Sequence, residues 1–258
     1  MDQPLVSIIT VTKNSEKFLE ETIKSVINQT YPNIEYIIID GLSSDNTLQI
    51  INKYEDKINH WISEIDQSMY DAINKGIKIS TGDIIAILNS DDCYVDQDVV
   101  TKIVDYMIKR NAFGVYGDVI ILNDNKKRYR KHFQISYEGL LISGQCTFVP
   151  HPTLFLRREF IKDIGLYNLE YKYGSDFDFI LRCLKSQILS YYSIPITVFR
   201  RHAYSISSSG KIEYEKNIIL KKYMSKNFLF YKKYFKSFYW IKFIIINLIH
   251  NLFTWRFK

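Results

Sequence analysis

The stretch TGDIIAILNSDD, residues 81–92, decides how this chain is read. Its centre, Asp83–Leu88, is a short run of branched apolar residues, the pattern of a strand buried on both faces. The run stops at Asn89-Ser90-Asp91-Asp92, where two adjacent carboxylates follow the apolar segment. Working outward, LVSIITVT (5–12) and Ile34–Asp40 have the same character, and His60–Ile65 is a shorter strand. Helical patterns fill the gaps. Phe18, Leu19, Thr22, Ile23, Val26 and Ile27 recur at helical spacing behind an expected cap at Asn14 or Ser15. Asp45–Tyr54 and Ser68–Ile79 are further helices. Asp96 is the expected cap of another, with Val99, Val100, Ile103, Val104 and Met107 turned inward. This alternation predicts an α/β fold, a mostly parallel central sheet flanked by helices with right-handed crossovers.

The later part is mixed. Phe113–Leu122 and Lys127–Gln134 flank Asn123-Asp124-Asn125 as a hairpin. Thr153–Leu156 and Leu189–Phe199 read as strands, and Phe177–Lys185 as a helix. No repeat or low-complexity linker interrupts the chain, and the one shift in composition falls near residue 211.

Charge sharpens that boundary. The chain carries 34 Lys and Arg against 28 Asp and Glu. No acidic residue follows Glu215, whereas ten basic ones do, so residues 1–215 hold 24 basic against 28 acidic side chains. The positive excess belongs to the tail alone, which argues for an anionic membrane surface and against nucleic acid. Cys93, Cys146 and Cys183 form no CxxC pair, as expected of reduced thiols and not of a disulfide frame or zinc site. Met-Asp-Gln-Pro leads straight into a strand without the features of a secretory signal. The expected location is cytoplasmic, peripherally attached to the inner face of the cell membrane.

Acids recur where strands end: Asp40, then Glu64 and Asp66, then Asp91 and Asp92. Ligands of open parallel sheets gather at those ends. A single such Asp is commonly a helix cap, but the repetition points to a site. Adjacent carboxylates repel unless a cation or donors offset them, and hard oxygens suit Mg²⁺ or Mn²⁺.

The segments VSIITVTKN (6–14), IIIDGLSSDNT (37–47), SEIDQSMYDAINKGI (63–77) and TGDIIAILNSDD (81–92), in this order, resemble the family-two, inverting glycosyltransferases of A-type fold. The resemblance covers roughly residues 4–200 and is nearest the bacterial members involved in capsule, O-antigen (lipopolysaccharide) or exopolysaccharide synthesis. It implies a catalytic domain over 1–210, with a nucleotide-sugar-binding half (1–110) and an acceptor-binding half (111–210), and a basic, aromatic-rich helical tail over 211–258. It implies a nucleoside-diphosphate sugar donor, UDP first, a saccharide or lipid-linked saccharide acceptor, and Mn²⁺ or Mg²⁺. Thr10, Thr12 and Asn14 would border the nucleotide, Asp40 would accept a hydrogen bond from the base, and Asp66 would stand near the donor. Asp91 and Asp92 would share the ribose and the metal. Two positions depart from the family pattern. Asn89 stands where an Asp-x-Asp motif needs an acid, and Ile73 where many relatives carry Arg before Asn74. Lys75 is a substitute phosphate contact or a solvated helix lysine.

Inverting transfer needs a base for the attacking hydroxyl. Tyr173-Gly174-Ser175-Asp176-Phe177-Asp178 resembles the family's acidic motif ahead of an Arg-containing helix, here Arg182, and makes Asp176 the general base. A helix cap is the plainer reading. His151 resembles a residue bordering the acceptor pocket, or is structural. Arg201 is expected near the diphosphate and His202 as a third metal ligand. Rival readings are a sugar nucleotidyltransferase, disfavoured by the lack of glycine in Thr12-Lys13-Asn14-Ser15, and a nucleotide-sugar-binding or membrane scaffold protein with weakened catalysis.

The tail's most apolar part, Phe238–Phe253, contains Lys242 and His250 and falls short of the ~20 largely uncharged residues of a spanning helix. An interfacial helix is expected; packing on the domain or on a partner subunit, as in a homodimer, is the alternative.

Overall fold

The computed structural model describes residues 3–123, 126–201 and 212–224. Four strands begin the chain: β1 (Val6–Thr12), β2 (Ile34–Asp40), β3 (His60–Ser63) and β4 (Ile84–Ile87). They pair in parallel in the order β3-β2-β1-β4. The crossovers carry α1 (Leu19–Ile27), α2 (Thr47–Lys53) and α3 (Met69–Ile79). Every residue of β1 and of β4 is buried, as their unbroken apolar runs require.

The second half contributes β5 (Cys93–Tyr94), α4 (Val99–Arg110), β6 (Gly114–Asn123), β7 (Lys126–Arg130), α5 (Tyr137–Ser143), β8 (Phe155–Arg157), α6 (Arg158–Ile164), α7 (Ser175–Ser186), β9 (Ser190–Arg201) and α8 (Ile212–Tyr223). The sheet continues β4-β8-β6-β9-β5, with β7 added to β6. β8 runs antiparallel to both neighbours, and β6 and β9 are parallel. The result is an α/β fold with a mixed sheet whose first four strands all pair in parallel.

Alternation along the strands divides the core in two. Ile9, Val11, Ile37, Ile39, Ile85 and Ile87 pack on one face with α3, α5, α6 and α7. Val6, Ile8, Tyr36, Ile38, Ile84 and Ala86 pack on the other with α1, α2 and α4.

Some expected boundaries move. α1 starts behind Phe18 with no side-chain cap, because Asn14 and Ser15 are engaged by neighbouring loops. α4 starts behind Asp98, and the Asp96 carboxylate accepts from the Asp98 amide at 2.9 Å, closing a turn ahead of the helix. Thr153 lies in a 3₁₀ turn, His151–Thr153, and the strand begins at Phe155. α8, in the segment expected to be tail, buries Lys216, Ile219 and Leu220.

Gly76 lets α3 lie close against β1: a Cβ there would stand 2.4 Å from Ile9 Cγ2. Alanine gains about 1 kcal/mol of helix propensity over glycine, while overpacking a core costs about 1–3 kcal/mol. With an approach as close as 2.4 Å the cost lies at the upper end, and Gly76→Ala is expected to lower the unfolding free energy by about 2 kcal/mol. Urea titration checks this, and an unchanged or raised midpoint would contradict the close packing.

Candidate active site

The site is built where β1, β2 and β4 end. Asn14 turns the chain after β1 with φ of 51°, a left-handed conformation that asparagine tolerates. Its amide donates to Ser43 Oγ at 2.8 Å, and its Oδ1 accepts from the Ser44 amide at 2.9 Å. The Ser15 amide donates to Thr47 Oγ1, and the Ser15 hydroxyl meets that of Ser90, both at 2.8 Å. The loops after β1, β2 and β4 are thus tied into one rim. Thr22 on α1 donates to the carbonyls of Ser90 and Asp92 at 2.9 and 2.7 Å and fixes the acidic turn from below.

Asp40 is fully buried at the end of β2. Its carboxylate accepts from the Ser43 amide at 3.0 Å, from the Ser43 hydroxyl, and from Ser63 Oγ at 2.7 Å. It holds the rim together from within. Beside it, Gly41 leaves space: a Cβ there would meet Asp66 Oδ2 at 3.2 Å. Asp66 therefore leans over the end of β2. Burial raises its carboxyl above the usual range, and Lys75 partly offsets this. Lys75 Nζ lies 2.7 Å from Asp66, 2.7 Å from Glu64 and 3.7 Å from Asp71. Burial opposes its charge, but Asp66, Glu64 and Asp71 together raise the ammonium above its ordinary value. Thr10 is fully buried with its hydroxyl 3.2 Å from that of Tyr36, inside the sheet layer. Thr12 is buried at the end of β1, and its hydroxyl has no hydrogen-bond partner.

The acidic pair occupies the turn after β4. Asp92 is 1% exposed. Its Oδ1 accepts from the Arg200 amide at 3.0 Å, while its Oδ2 and Asn89 Oδ1 are buried without hydrogen-bond partners among the described residues. Burial, then the neighbouring charge of Asp91, holds the Asp92 carboxyl well above the usual carboxylate range. Arg200 braces the turn: Nε donates to the Asp91 carbonyl at 3.2 Å, the guanidinium pairs with Glu21, and it stacks 4.4 Å over Phe18. Two adjacent carboxylates and an amide oxygen, with buried oxygens left unsatisfied, fit a hard divalent cation. Among the described residues no group of three His, Cys, Asp or Glu gathers, and His202 lies outside the described residues. Burial raises the neighbouring Cys93 thiol, so it is no activated nucleophile.

Asp176 lies in the first turn of α7, partly buried. Its Oδ1 accepts from the Phe177 amide at 2.8 Å and the Tyr70 hydroxyl at 3.2 Å. Tyr70 is in the first turn of α3, which starts just past the end of β3, so this bond sets Asp176 at the rim that carries Asp40 and Asp66. Burial raises its carboxyl; His151, the Phe177 amide and Tyr70 pull it back. His151 is buried with Nε2 2.7 Å from the Tyr167 hydroxyl, and burial lowers its pKa. Tyr167 stacks on Phe179 at 4.1 Å and on Tyr70 at 5.9 Å, and Asn74 clamps its backbone with two bonds of 2.9 Å. Asp178 points elsewhere, to Arg182 and Tyr223, each at 2.9 Å. Arg201 is exposed at the end of β9.

Sequence reasoning missed Tyr70 and Glu215. The Glu215 carboxylate, from α8, accepts from the amides of Lys172, Tyr173 and Gly174 at 2.9, 2.7 and 2.8 Å, the loop that leads into Asp176. The one signal available was that Glu215 is the chain's last acid.

A mixed sheet with a parallel nucleotide-type half and carboxylates along one rim defines an A-type glycosyltransferase layout. A family model, glycosyl transferase family 2, matches residues 7–165. A PGL/p-HBAD biosynthesis glycosyltransferase of Mycobacterium bovis is 31% identical over 193 residues, 73% of either chain. An uncharacterized glycosyltransferase of Haemophilus influenzae is 32% identical over 191 residues, 72% of this chain and 74% of its own length. This chain belongs to glycosyl transferase family 2. Among solved structures, S. aureus TarS 1-349 in complex with UDP-GlcNAc superposes with a TM-score of 0.71 at 19% identity, over 84% of this chain and 65% of that one. The mannosyltransferase PcManGT from Pyrobaculum calidifontis, in complex with GDP-Man and Mn²⁺, gives 0.63 at 14%, over 85% and 63%. The chain spans 39% of the longer TarS chain, less than two thirds of any of these three structures.

A ligand present at 100 times its Kd stabilises a fold by about 2.7 kcal/mol. Asp92→Asn is expected to keep the ligand-free Tm at or above wild type, since it removes a buried acid beside another acid, and to lose most of the Tm increment from UDP with Mn²⁺. A lowered ligand-free Tm with the increment intact would make Asp92 purely structural.

Proposed function

We propose that this chain transfers a sugar, with inversion, from a nucleoside-diphosphate sugar to a hydroxyl of a lipid-linked saccharide, in the assembly of capsule, O-antigen or exopolysaccharide. UDP is the first choice of nucleotide; the TarS neighbour is described with UDP-GlcNAc and with UDP. What supports the reading is an Asp176 carboxyl raised by burial and bonded to Tyr70 at the start of α3, together with the buried acidic turn of Asp91 and Asp92 past the end of β4.

Thr12, Asn14 and Asp66 border the nucleotide, and Asp40 keeps their loops in register. Asp91, Asp92 and Asn89 would hold Mn²⁺ or Mg²⁺, with His202 as a further ligand. When bound, the cation would neutralise charge developing on the leaving diphosphate. Arg201 offers a guanidinium to the same phosphates. Lys75 keeps Asp66 aimed across Gly41 and reaches the donor through it. On the acceptor side, His151 and Tyr167 line the approach, and Asp176 takes the proton from the attacking hydroxyl as the new bond forms.

A raised pKa suits a base working near neutrality, and it sets the sign of the pH dependence. Asp176 must be ionised, so kcat/KM falls as pH drops through a value above the ordinary aspartate range. Asp176→Asn is expected to reduce transfer by about 10²- to 10⁴-fold with donor affinity nearly unchanged. Single-turnover assays with a UDP-sugar panel, beside calorimetry with UDP, measure both. Substantial retained turnover would remove Asp176 as the base.

Residues 226–258, outside the described residues, supply the proposed attachment to the inner face of the membrane. Among the described residues no helix is long and apolar enough to cross a membrane. Deleting 226–258 should release the protein from phosphatidylglycerol vesicles while donor hydrolysis persists. Unchanged co-sedimentation of the shortened protein would rule this role out.

A further inference from the structure

Register places three arginines on one face of the sheet. Val119 of β6 pairs with Arg130 of β7 and with Thr197 of β9. Ile121 pairs with Arg128 and Phe199, and Asn123 pairs with Arg201. Directly paired residues point to the same side of a sheet, so Arg128, Arg130, Thr197, Phe199 and Arg201 share a face. Thr197 says which side this is. It is fully buried, and its hydroxyl donates to the Pro152 carbonyl at 2.8 Å, next to His151. The arginine face therefore adjoins the His151–Asp176 side of the molecule.

The charges there are unbalanced. The ion pairs that arginines make among the described residues are those of Arg182 with Asp178 and Arg200 with Glu21. Arg157 and Arg158 donate to the carbonyls of Ala112 and Gly82. Arg128, Arg130 and Arg201 have no carboxylate partner among the described residues. Arg130 is half-buried, and burial, then Arg201 and Arg128, depress its guanidinium below the ordinary value, which shows that these cations lie within each other's field. His132, two residues on, is 2% exposed. It stays neutral, its pKa lowered to about 3 by burial and then by Arg130, and supplies no compensating charge. Arg128 and Arg201 are exposed and Arg130 is half-buried, and like charges held this near one another disfavour the empty face. An anion reverses this, and the guanidinium fork matches phosphate oxygens two at a time.

We infer that the β7–β6–β9 face is a second anion site, beyond Arg201, in which Arg128 and Arg130 bind a phosphate or diphosphate group carried by the acceptor. Calling the ligand part of the acceptor rests on the transferase reading above; the anion site itself rests on the arginine face.

The test keeps the two apart. UDP affinity is measured first, without metal, and reports on the nucleotide reading. Inorganic pyrophosphate is then titrated into the UDP-saturated protein by calorimetry. Wild type should bind it, and Arg128→Ala/Arg130→Ala should bind it at least about tenfold more weakly, the loss of charge-assisted bonds, with UDP affinity unchanged. Arg128→Lys/Arg130→Lys, which keeps charge without the fork, should fall between and controls for folding. No pyrophosphate binding by wild type, or equal binding by the alanine variant, overturns the site. A parallel arm sediments both proteins with phosphatidylglycerol vesicles. Vesicle binding lost by the alanine variant with pyrophosphate binding unchanged would assign the face to lipid headgroups and overturn the acceptor assignment.

Discussion

The molecule depends on keeping two adjacent carboxylates at the buried end of β4. Asp92 is almost entirely out of water beside Asp91, an arrangement that burial and like charge both disfavour. What the described residues supply against this is modest: the Arg200 backbone amide on β9 to one oxygen, the Arg200 charge and the Asn89 side chain. That amide arrives only because β9 extends along β6 and passes β5, so much of the second half of the sheet serves to bring it there. The remaining mismatch is what the proposed cation would offset. A site arranged in this way sacrifices some stability when empty for an interaction that is strong when filled.

Around that turn, polar side chains join loops instead of capping helices. Asn14, Ser15, Ser43, Thr47 and Ser90 bind one another or each other's backbone across the rim. Asp40, the most buried acid of the group, accepts bonds from both sides of this seam. The division of labour among the acids follows: Asp40 is inward and structural, while Asp66, Asp91 and Asp176 stand at the margin where substrate chemistry is proposed.

Much of this was legible in the sequence, for a physical reason. β2 was readable to its end residues because a doubly buried strand must be apolar throughout, and β1 differs from its expected span by a single residue. The expected helix Ser68–Ile79 differs from α3 by one residue, and Ser68 is its cap, bonded locally to the Asp71 amide. The expectations that shifted, Asn14 or Ser15 for α1 and Asp96 for α4, concern residues with the right chemistry for a cap and a better partner nearby. Family resemblance drew attention to Asp176, but not to Tyr70, which bonds it from 106 positions away. Arg200 meets Asp92 across 108 positions. Such contacts leave no periodic trace in one sequence. Nor does composition mark the burial in and after α8: charge changes after Glu215, whereas Ile219, Leu220 and Met224 beyond it are buried.

That mismatch bears on how the chain can be divided. Cutting at residue 211, where the amino-acid content shifts, would discard the carboxylate that satisfies three consecutive amides just ahead of Asp176, and would uncover the surface beneath Ile219. Cutting after Met224 spares both. The last helix before the lysine-rich end is thus a keystone of the catalytic body, and anything that displaces it from outside acts on the backbone two residues from the proposed base.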